Sequence, residues 1–197
     1  MSRRNAILLV IGLLLIVAVP PFSWWWEASL VRHMLLQIPL LILAGVLLGA
    51  FVAPRPVPGA QSKQTEAAAA VLLAAFCMTF WMLPRWLDAA VGDHGVDAVK
   101  IVSLVLLAGV PLGWGWVRLG PVARGFVWFQ AISMALVLGW LYAAYPDRLC
   151  NSYLVSEQPV LGMAMFGVAA FLGVVGVAIV MIGSGDHTAA AESATAS

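Results

Sequence analysis

Six stretches of this chain run for roughly 17 to 23 residues almost without charge, the length an α-helix needs to cross a hydrocarbon core of about 30 Å. They are Ala6–Phe22, Leu30–Val52, Ala67–Leu83, Val99–Val117, Phe126–Tyr145 and Val160–Ile182. Lipid offers no partner for an open backbone N–H or C=O, and the stretches lack the alternation of barrel strands, so each is predicted to be a helix. The expected fold is all-α: a polytopic membrane helical bundle of about six transmembrane helices. With 63% hydrophobic and 10% charged residues, the chain is too apolar to cover a soluble domain with polar surface. A formal net charge of +1 supplies no basic field for nucleic acid, which is therefore not an expected partner. Cys77 lies in an apolar run and Cys150 in a loop, at different depths, so they do not make a disulfide framework.

Basic residues in short loops tend to stay in the cytoplasm. Arg3, Arg4, Arg55, Lys63, Arg118 and Arg124 all fall on one side of the expected bundle. The opposite loops hold Arg32, Arg85, Lys100 and Arg148, accompanied by Glu27, Asp88, Asp93, Asp97, Asp147 and Glu157. Both termini are thus expected in the cytoplasm, with the acidic face outside. Aromatic belts agree: Trp24, Trp25, Trp26, Trp81, Trp86, Trp140, Tyr142 and Tyr145 mark the outer interface, and Trp114, Trp116 and Trp128 the inner one. Pro20, Pro21, Phe22 and Ser23 offer no small-x-small cleavage signal, so the first run is expected to be a retained helix. Residues 1–182 read as a single transmembrane helical domain, with a proline-rich cytoplasmic connector over 53–65 and no evident internal repeat. Residues 183–197, rich in Ala, Ser and Thr, read as a disordered cytoplasmic tail.

Chemically capable side chains gather at the outer ends of the runs, which is where a site would be built. His33 and Gln37 are four apart and share a helix face, with Met34 one position round and Glu27 about two turns above. An imidazole there could bind a metal, relay a proton, or only hydrogen-bond to a loop or headgroup. Asp97 and Lys100 are spaced to pair locally, and Asp97 also suits the helix N-terminus. Cys77, Met78 and Met82 offer soft sulfur, although packing explains them equally well. The segment 85–97 reads as a short interfacial helix or loop. Gly45 with Gly49, and Gly109 with Gly113, would let neighbouring helices approach closely, while Pro39 and Pro111 should kink theirs. The last outer loop, 145–158, packs Cys150, Asn151, two tyrosines and three charges into one connection, with Met163 and Met165 following.

Two stretches carry a resemblance. His33-Met-Leu-Leu followed by Pro39-Leu-Leu-Ile-Leu-Ala-Gly45, and Glu157-Gln-Pro-Val-Leu-Gly-Met-Ala-Met165, are similar to segments of the CtaG family of caa3-type cytochrome c oxidase assembly factors. Members of that family are longer, carry additional histidines near the first motif, and have Asp where this chain has Glu157. The resemblance implies a multi-pass protein of the bacterial inner membrane that assists copper delivery to, or assembly of, a haem-copper respiratory oxidase, and is not an enzyme. Copper would then be the cofactor, and His33, Met34, His94, Cys150 and Met163 the candidate ligands, with Cys150 foremost as a thiol in an oxygenated compartment. The expected partners are membrane lipid and a haem-copper oxidase subunit or other respiratory complex. The rival expectation is a non-catalytic accessory subunit that needs no ligand.

Overall fold

The computed structural model describes residues 3–18, 22–53, 62–145 and 152–195. Its helices are α1 Arg3–Ala18, α2 Leu30–Val52, α3 Ser62–Trp81, α4 Pro84–Gly92, α5 His94–Trp116, α6 Pro121–Ala144 and α7 Glu157–Thr195, with a single helical turn, Ser23–Trp26, before α2. No strand occurs among the described residues. Five helices are long and apolar enough to cross a membrane: Leu30–Val52, Gln64–Trp81, His94–Trp116, Pro121–Ala144 and Glu157–Met181. They coincide with the last five apolar runs. The first run supplies α1, whose 16 residues reach about 24 Å at 1.5 Å per residue. Residues 19–21, at its end, lie outside the described residues.

The prolines act locally. In α2 a wide π turn, His33–Gln37, stands just before Pro39, and in α5 another, Leu104–Gly109, just before Pro111. A proline inside a helix has no N–H and its ring crowds the carbonyl four residues back, here Leu35 and Leu107. Opening the preceding turn relieves that crowding, and π turns of this kind recur at functional sites. The first of the two rotates His33 and Gln37 into the interior, where both are fully buried.

Glycine then sets how close α2 and α5 come. A Cβ added at Gly45 would lie 2.3 Å from the carbonyl oxygen of Val105, and one at Gly49 would lie 2.1 Å from that of Val110. From the other side, Gly109 would meet the Ile42 oxygen at 2.5 Å and Gly113 the Val46 oxygen at 2.1 Å. Only hydrogen fits at these four places, so the two backbones touch directly. Because Gly45 faces Gly109 and Gly49 faces Gly113, the helices run parallel and in register. Around this seam the order Ala44, Gly45, Val46, Leu48, Gly49 recurs as Ala108, Gly109, Val110, Leu112, Gly113, a short repeat that sequence reading had passed over.

The other helices dress this pair. Gly12 of α1 approaches Ala44 and Leu48 of α2, and Ala67 and Val71 of α3 lie against Gly115 of α5. Helices α6 and α7 form a hairpin closed by Gly139 and Gly162. That hairpin holds the rest at two places. At one end the Glu157 carboxylate accepts a hydrogen bond from the Leu30 backbone N–H at 2.9 Å. At the other, Ala123 and Val127 pack on the buried trio Ala67, Val71 and Leu119. Beyond Met181 the chain, expected as a disordered tail from residue 183, keeps a helical backbone to Thr195. Its alanines favour helix and it contains no proline.

Candidate functional site

The glycine seam fills the far half of the α2–α5 contact, and the near half is filled by polar side chains. Asp93 caps the start of α5, its carboxylate accepting from the Gly95 and Val96 N–H groups at 2.6 and 3.3 Å. Capping by Asp93 leaves Asp97 free for another task, and the capping role that sequence spacing suggested for Asp97 passes to its neighbour. Asp97 lies in the first turn of α5 and forms an ion pair with Lys100 at 2.7 Å. The same Lys100 ammonium donates to Glu27 at 2.9 Å, across 73 residues of chain. Lys100 is fully buried, so this carboxylate–ammonium–carboxylate arrangement is screened little by water.

Glu27 is the hub. Besides Lys100 it accepts from the Gln37 side-chain amide at 3.4 Å, and its carboxylate stands 4.0 Å from Nδ1 of His33. Burial pushes the Glu27 carboxyl up from its usual range, against the downward pull of the Lys100 ammonium. Two carboxylates against one ammonium leave a formal charge of −1 in a low-dielectric pocket. The Lys100 ammonium already answers part of that charge, and burial opposes the addition of another.

His33 borders this cluster. It is 0% exposed, yet neither ring nitrogen has a hydrogen-bond partner, and the Gln37 Oε1 likewise has none. Leaving a buried polar atom unpaired costs about 1–3 kcal/mol, so an orphaned imidazole calls for an explanation. Around it close Tyr153, whose ring centroid is 6.1 Å away, and a buried cluster with Leu30, Met34, Leu87, Ala90, Leu161 and Met165. Leu87 and Ala90 come from α4, the expected interfacial helix, which roofs the cluster and meets the loop before α7 through Asp88, an acceptor for the Ser152 N–H at 3.2 Å.

Of the five residues expected to bind copper, four lie among the described residues. His33 and Met34 are buried side by side on the π turn. His94 is exposed at the start of α5, and Met163 is 67% exposed on α7. Cys150, with Asp147, Arg148 and Asn151, lies outside the described residues. No cluster of three or more His, Cys, Asp or Glu is arranged to hold a metal among the described residues. Cys77 spends its thiol on the Ser103 carbonyl at 3.5 Å, and Met78 and Met82 pack on the core. What the sequence did not reveal is the Glu27–Lys100 pair and the bond from Trp81 Nε1 to Ser103 Oγ, 2.7 Å. Spacing exposes neighbours on one helix, and both of these join different helices.

Comparison with protein-family models, with curated proteins and with solved structures gave no match.

Proposed function

We propose that this chain is a multi-pass protein of the bacterial inner membrane that assists copper delivery to, or assembly of, a haem-copper respiratory oxidase. The observation that carries the reading is convergence. The two stretches that resemble the oxidase assembly family begin 124 residues apart (157 − 33) and meet in space, Glu157 binding the backbone at Leu30 one turn from His33. At their junction sit the orphaned imidazole of His33 and a net negative pocket, which suit a monovalent cation such as Cu(I).

His33 would supply the nitrogen donor. Successive helical residues point to different faces, so Met34 is a weaker second ligand than a sulfur brought from the 145–158 loop, where Cys150 stands. Copper bound there would be handed on by ligand exchange with no covalent step on a substrate. Lys100 and the two carboxylates would hold His33 and Gln37 in place and keep the local charge matched. With α1 as a sixth span, both termini would lie in the cytoplasm and this pocket at the outer surface.

Two observations favour the accessory-subunit reading instead: His94 and Met163 are exposed while His33 is buried, and an ammonium already stands among the carboxylates. Metal analysis separates the two. Detergent-purified protein loaded with Cu(I) under reducing conditions should retain about one equivalent, and His33→Ala and Cys150→Ser should each lose it. Retention by neither the wild type nor the variants leaves the accessory subunit. Equal retention by all three moves the site elsewhere.

A further inference from the structure

Helices α3, α5 and α6 enclose a groove of about 1230 Å³ at the opposite end of the molecule from the His33 pocket, beyond the range of about 300–1,000 Å³ usual for small-molecule sites. The α6–α7 hairpin is anchored at its two ends, by Glu157 and by Ala123 with Val127, and the groove is the space left between these anchors. Its walls are hydrocarbon, with Ala68, Leu72, Ala75, Met78 and Met134 along its length. Of its polar lining, Gln64 and Thr65 stand at one mouth with Trp116 and Gly120, while Thr79 and Gln130 lie further along the helices.

Two arginines stand near that mouth, outside the groove lining. Arg118 donates to the Trp114 carbonyl and lies 3.9 Å over the Trp114 ring. Arg124 donates to the Trp116 carbonyl at 3.0 Å, with its guanidinium 6.0 Å from the Trp116 ring centroid. Among the described residues no charged side chain, acidic or basic, lines the groove itself. A long apolar slot with a fixed basic, tryptophan-flanked mouth matches one chemistry: acyl chains with an anionic headgroup.

We propose that this groove binds an anionic phospholipid, with the acyl chains lying between α3 and α6 and the phosphate at Arg124, beside the lining residue Trp116. A second copy of the chain fits less well. Where helices of this protein approach one another they do so on glycine, at Gly45 with Gly109, Gly49 with Gly113 and Gly139 with Gly162. The groove has a single glycine in its described lining, Gly120 at the mouth beside bulky Trp116, with Phe126 and Met134 elsewhere. A flexible chain can thread between such side chains, whereas a helix would have to displace them.

The test is competitive lipid binding to the full chain in mild detergent, read by native mass spectrometry with equimolar phosphatidylglycerol and phosphatidylcholine. Wild type should prefer the anionic lipid by at least about fivefold, the share of one arginine near a membrane surface, and Arg124→Gln should lower that preference about fivefold while Arg124→Lys keeps it. Ala68→Phe and Ala131→Phe, which narrow the groove, should reduce binding of both lipids, and they carry the test if Arg124→Gln does not fold. Equal binding of the two lipids by wild type overturns the proposal. So does undiminished lipid binding by both groove variants, or a dimer that excludes lipid. Copper binding at His33 is expected to be unchanged in every variant.

Discussion

Lys100 and His33 define the site by opposite faults. Lys100 is a charge that would be intolerable alone and is made acceptable by two carboxylates, whereas His33 is a polar group the fold leaves unpaired. Removing one partner of a buried ionic cluster leaves the rest uncompensated, so Lys100→Met should cost about 3–5 kcal/mol of stability. The triple change Glu27→Gln, Asp97→Asn, Lys100→Met should recover most of it, and unfolding in a graded detergent mixture would show the difference. His33→Leu should do the reverse and raise stability by about 1–3 kcal/mol, because it deletes two orphaned nitrogens at similar volume. A fall in stability would mean that His33 is paired in the folded protein. The sequence displayed Glu27, His33 and Gln37 as one face and Asp97 with Lys100 as a local pair, but nothing in either spacing brings the two groups together.

The α2–α5 seam is where an element, not a residue, carries the structure. Helices in lipid gain little from hydrophobic transfer and must pack by contact, which makes the four seam glycines intolerant of any side chain. Gly49→Ala should therefore cost about 3 kcal/mol, the upper end of ordinary overpacking. Gly167→Ala, in α7 where an added Cβ meets nothing within 4 Å, should be neutral or gain up to about 1 kcal/mol from helix propensity. Equal effects at the two positions would show that α2 and α5 do not pack on this face. The glycine pairs were legible in advance as contact points, yet their partners were not: each pair could have met any neighbour. The prolines were legible as distortions, while the π turns that answer them depended on the surrounding packing.

For the whole molecule, the division into a charged acidic end and an Arg–Trp end gives an orientation that can be measured. In a background with Cys77→Ser and Cys150→Ser, Gly92→Cys should react with a membrane-impermeant thiol reagent in intact cells, and Val122→Cys only after permeabilisation. The reverse pattern would put the His33 pocket in the cytoplasm. Hydrocarbon length and the need to close every backbone hydrogen bond were enough for the sequence alone to predict helices throughout, with about six spans expected, of which five are long and apolar enough to cross a membrane among the described residues, and to put polar residues at helix ends. Those are properties of each segment facing lipid, so they require no knowledge of neighbours. Only tertiary structure decided that α2 and α5 lie parallel on glycine, that Lys100 bridges Glu27 and Asp97, and that Glu157 closes on Leu30. Each is a meeting of helices far apart in the chain, selected by shape and charge, which hydropathy does not encode.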